Sequence, residues 1–103
     1  MVPNSKPMNR DAVVQTLVAH RKELSELHIS FLGVFGSVAR NEAGPNSDVD
    51  LLVKFDKPVG FFHLSRVQKF LETILMRKVD LVLEETLRKE FREQVMKEVI
   101  RAA

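Results

Sequence analysis

In the stretch GSVARNEAGPNSDVDLLV, residues 36–53, ten residues separate Ser37 of a glycine-serine pair from the first of two aspartates, Asp48 and Asp50. The aspartates stand two apart at the head of an apolar run, where a strand would ordinarily bury hydrophobes. Residues so spaced on a strand point to one face, which puts both carboxylates on one side and Val49 on the other. Two such charges need a compensating cation. A third carboxylate, Asp80, opens the later apolar run KVDLVLE in the same way. Clustered carboxylates repel one another, which raises their pKa values. Donors that are all oxygen, with neither cysteine nor histidine, suit a hard cation, Mg²⁺ or Mn²⁺. Such an ion, bound by a few carboxylates, takes phosphate oxygens as its remaining ligands. Gly36 permits close backbone approach, the amides after it suit an anion, and Ser37 adds a hydroxyl donor. The chemistry these residues could do is that of a metal ion and a phosphate.

Positioning them requires an alternation of helices and strands. Asn9 is suited to cap a helix and Asp11 to its first turn. Val13, Val14, Leu17, Leu24 and Leu27 fall on one helical stripe, which predicts a helix over 10–27. The run HISFLGVF, 28–35, reads as a first strand. A short helix or turn over 37–42 and a loop over 43–47 come next. DVDLLVKF, 48–55, is the second strand. Leu64, Val67, Phe70, Leu71, Ile74 and Leu75 predict a helix over 61–76. A third strand covers 78–84, and an amphipathic helix runs from Thr86 to the end on Leu87, Phe91, Val95, Val99 and Ile100. This order is an α/β or α+β domain, a small mixed sheet of three strands flanked by helices. Antiparallel pairing of the first two strands sets Gly36-Ser37 beside the aspartates. A right-handed helical crossover lays the third strand parallel to the second and brings Asp80 to the same sheet end.

The 103 residues predict one domain, with residues 1–8 as a flexible tail and 9–103 as the folded unit. The absence of cysteine excludes disulfides and thiolate metal sites and fits a reducing compartment, so a cytoplasmic location is expected. The N-terminus has no apolar core of a secretory signal, and no apolar run is long enough to span a membrane. The net charge is +2, with basic and acidic residues interleaved as on a solvated helix face. Direct nucleic-acid binding is therefore not expected. His20, His28 and His63 are scattered and read as structural or exposed, and Phe61-Phe62 as core or an interface.

The motif resembles the GS-x10-D-x-D signature of the polymerase-β-like nucleotidyltransferase superfamily. In size and layout the chain is similar to the minimal nucleotidyltransferases, the MNT antitoxins paired with HEPN-domain toxins. The resemblance implies that Gly36 and Ser37 hold the nucleotide triphosphate and that Asp48 and Asp50 bind metal. It also implies that Asp80 completes the metal site and helps activate the attacking hydroxyl. Arg40 matches the arginine of a GSxAR pattern and is a nucleotide-binding candidate. Asn41 stands where many relatives have glycine, a departure that touches the turn. The activity implied is Mg²⁺-dependent transfer of AMP from ATP, with two metal ions, to a tyrosine hydroxyl of the partner toxin, releasing pyrophosphate. Two other readings stay open: an antitoxin that acts by contact alone, and a transferase for a small-molecule hydroxyl.

Overall fold

The computed structural model describes residues 9–103; the tail expected over 1–8 lies outside them. Asn9 caps α1 (Arg10–Ala19), its side-chain oxygen accepting from the Ala12 N–H at 2.8 Å. The single helix expected to Leu27 is two. His20 closes α1 with its N–H on the Leu17 carbonyl at 3.1 Å, and α2 (Arg21–Glu26) starts anew. That tight closing bond interrupts the ladder, yet Val13, Leu17 and Leu24 all reach the core. His28 has φ 67° and is left out of β1 (Ile29–Phe35). The remaining elements are α3 (Gly36–Ala39), β2 (Val49–Phe55), α4 (Phe61–Leu75), β3 (Val79–Leu83), a 3₁₀ turn (Glu84–Thr86), α5 (Lys89–Glu98) and β4 (Ile100–Arg101).

The sheet has four strands, in the order β3-β2-β1-β4, where three were expected. The predicted last helix stops at Glu98, because Val99 is extended and the chain turns to pair with β1. Leu32 fixes that edge, accepting from the Ala102 N–H at 2.8 Å and donating to the Ala103 carbonyl at 3.0 Å. The β1–β2 pair is antiparallel and β2–β3 parallel, both as expected.

Alternation along the strands divides the sheet into two faces. Val49, Leu51 and Val53 of β2 join Leu32 and Val34 of β1 in the main core, together with Leu17, Leu24, Val67 and Leu71 from the helices. These are fully or almost fully buried aliphatic side chains, each stabilising by roughly 1.5–3 kcal/mol relative to exposure. The opposite face carries Asp50, Leu52 and Lys54. Leu52 is fully buried without belonging to that core. Its face is covered by the C-terminal segment: Met96 and Arg101 border a cavity of about 300 Å³ together with Leu52 and Lys54.

Candidate active site

Register brings the predicted carboxylates to one end of the sheet. Asp50 and Asp80 are direct partners in the parallel β2–β3 pairing, and Asp50 faces Phe35 across β1. Phe35 is followed at once by Gly36, so the Gly-Ser turn and both aspartates converge. Three hydrogen bonds set this end. The Val49 N–H donates to the Lys78 carbonyl at 2.9 Å. The Val79 N–H donates to Oε2 of Glu72 on α4 at 3.0 Å, while Gln68 Nε2 donates to the Val79 carbonyl at 3.2 Å. Helix α4 thereby holds the first residue of β3, and with it the position of Asp80.

Asp48 differs from expectation. Ladder pairing begins at Val49, so Asp48 precedes β2 and is exposed. The second strand thus begins one residue later than expected, with Asp48 immediately before it and Asp50 within it. The preceding loop is closed on itself, with the Gly44 N–H on Ser47 Oγ at 2.9 Å, and it meets the strand only at Val49. Asp48 is still close enough to act on Asp50 electrostatically. Partial burial first, then the charges of Asp80 and Asp48, push the Asp50 carboxyl above the ordinary aspartate range, and Arg40 offsets part of this. Asp80 is exposed.

Gly36 has φ +73°, a left-handed conformation that favours glycine. A Cβ there would lie 2.1 Å from Asp50 Oδ2, so the turn rests directly on the carboxylate. Ser37 is half-buried beside it, at the head of the four-residue α3. Asn41 adopts φ 57°, a left-handed conformation that asparagine tolerates better than most residues other than glycine. Its Oδ1 accepts from the Arg10 N–H at 3.0 Å, tying the turn to α1.

Arg40 reaches back over the turn. Its Nε donates to Glu42 at 2.9 Å and its Nη1 to Glu98 Oε2 at 3.0 Å, and both acids hold the guanidinium firmly charged. Glu98 Oε1 accepts from the Gly36 N–H at 3.2 Å. Sequence reasoning missed Glu98: it is 62 residues from Gly36 and lies in a charge-interleaved helix that reads as a solvated face. Nothing local marks it. The three histidines stay out of the site, with His63 on the Leu27 carbonyl and His28 beside Asp56.

Among the described residues no set of three carboxylates or imidazoles is gathered to hold a metal. The close set is Asp50 with Asp80. Two adjoining carboxylates, one with its pKa raised by its neighbours' charge, form a donor pair that a divalent cation would neutralise.

Residues 17–102 match the family described as Nucleotidyltransferase domain. The chain belongs to that family. This nucleotidyltransferase is 36% identical over 91 residues to the protein adenylyltransferase MntA of Thermococcus cleftensis, covering 87% of this chain and 92% of that protein. A solved minimal nucleotidyltransferase shares 35% identity at a TM-score of 0.78, over 90% of this chain and 95% of the other. A chain in the solved complex of a tri-AMPylated Shewanella oneidensis HEPN toxin with an MNT antitoxin gives a TM-score of 0.63 at 17% identity, covering 87% of this chain and 71% of that chain. That last likeness is one of fold.

Proposed function

We propose that this nucleotidyltransferase is the antitoxin of a HEPN/MNT pair. It transfers AMP from ATP to a tyrosine hydroxyl of its partner toxin in the cytoplasm. The observation that carries the reading is the meeting of Asp50 and Asp80, adjacent across β2–β3, with a turn that already binds a carboxylate through the Gly36 N–H and Arg40. The MntA relative is named a protein adenylyltransferase, and the toxin in the fold neighbour's complex is AMPylated.

In this reading Gly36, Ser37 and Arg40 hold the triphosphate. Asp48, Asp50 and Asp80 would hold Mg²⁺, which supplies charge neutralisation and Lewis acidity at the phosphate when bound. The acceptor oxygen attacks the α-phosphorus, a new O–P bond forms, and the bond to the β-phosphate oxygen breaks as pyrophosphate leaves. The hydroxyl proton passes to Asp80. A tyrosine of pKa about 10 needs such help near neutrality. Exposed Phe61 and Phe62 are the proposed partner contacts.

The test uses α-labelled ATP, Mg²⁺ and the protein encoded beside this chain, read by mass spectrometry. An AMP adduct on the partner's tyrosine is expected with the wild-type chain and not with Asp48→Asn/Asp50→Asn. Neutralisation of the partner without any adduct would refute transfer and leave an antitoxin acting by contact.

A further inference from the structure

Helix α5 has an unusual place in this fold. None of its residues is buried, and Phe91 and Met96 are 55% and 44% exposed. Polar contacts hold much of it in place. Arg92 pairs with Glu84, and Glu98, its last residue, sends one carboxylate oxygen to the Gly36 N–H and the other to Arg40. Those two donors are the ones the proposed function assigns to the triphosphate. The same segment lies over the sheet face that carries Asp50: Met96 borders the cavity floored by Leu52, two residues along β2.

We propose that Glu98 is an internal competitor for the nucleotide's phosphates, so that ATP binding displaces its carboxylate and releases α5 from the catalytic face. The inference rests on the reading of Gly36 and Arg40 as triphosphate ligands. One amide and one guanidinium cannot serve both anions in full, so nucleotide binding must oppose the closed position. Affinity is lowered by the fraction of molecules held closed. By reciprocity, anything that draws α5 away tightens ATP binding. The exposed apolar residues on α5 then give a partner that docks there a direct hold on the nucleotide site. Glu98 is half-buried, with 21% of its side chain accessible. Losing its charge therefore removes one partly exposed ion pair, which corresponds to an affinity gain of about three- to fivefold.

The experiment measures binding of a non-hydrolysable ATP analogue with Mg²⁺ by calorimetry, to wild type and to Glu98→Gln. Hydrogen exchange of residues 89–98 is followed in the wild-type chain with and without the analogue. The expected result is tighter binding by the variant and faster exchange in α5 when the wild type is saturated. Equal or weaker binding by Glu98→Gln overturns the proposal, as does α5 exchange that is unchanged or slowed by the analogue. Wild-type binding alongside either of those results leaves the functional reading intact. If neither protein binds the analogue, the functional reading itself fails and takes this one with it.

Discussion

Gly36→Ala tests whether the turn and the carboxylate are one packed unit. Two costs add. The left-handed φ of +73° costs a non-glycine residue about 1 kcal/mol. The new Cβ would stand 2.1 Å from Asp50 Oδ2 and 3.0 Å from its Cγ, so the carboxylate or the turn must move, at a further cost of about 1–2 kcal/mol. The sum, about 2–3 kcal/mol, lowers the melting temperature by on the order of 10–20 °C for a domain of this size. In an Asp50→Ala background both clashing atoms are gone and only the Asp50 Cβ, 3.2 Å away, remains. There Gly36→Ala should cost only the backbone term of about 1 kcal/mol. A double-mutant cycle by urea denaturation reads the difference as a coupling of about 1–2 kcal/mol. Equal costs in both backgrounds would show that Gly36 does not pack on Asp50, and the site geometry would be wrong.

Asp50→Asn should change the pH dependence of stability. The folded-state pKa of Asp50 is raised, whereas the unfolded chain releases that proton near about 3.9. Between the two the folded chain holds more protons, so wild-type stability falls as pH rises through the raised value. In chelator-treated buffer the variant should gain on wild type as pH rises from about 4; parallel urea curves would contradict this. Phe61→Ser/Phe62→Ser replaces side chains that are 77% and 87% exposed. Stability should change by less than about 0.5 kcal/mol per site, while co-purification with the partner is lost. Retained co-purification would remove these residues from the interface.

The helices and strands that could be read in the sequence were those with strong periodicity. The α4 stripe and the three apolar runs gave their elements to within a residue or two, because burial of Val67, Leu71, Leu32 and Leu51 is what forms them. Topology was legible as well: the crossover through α4 makes β2 and β3 parallel, which sets Asp50 beside Asp80. Other features lacked a local signal. The break at His20 comes from a single tight closing bond. β4 is two residues whose pairing depends on the β1 edge. Asp48 lies outside its strand because pairing starts one residue later. Glu98 is brought to Gly36 only by the docking of α5.

Holding ATP and using it are separable at Asp80. Asp80 lies on β3 beside Asp50, with β2 between it and β1, the strand that leads into Gly36. Wild type and Asp80→Asn are compared for affinity toward a non-hydrolysable ATP analogue and for the rate of AMP transfer to the purified partner. Affinity should stay within a few-fold of wild type. Transfer should be slower by at least about 10²–10⁴-fold, the usual contribution of a positioned base. A variant that labels the partner as fast as wild type would contradict it.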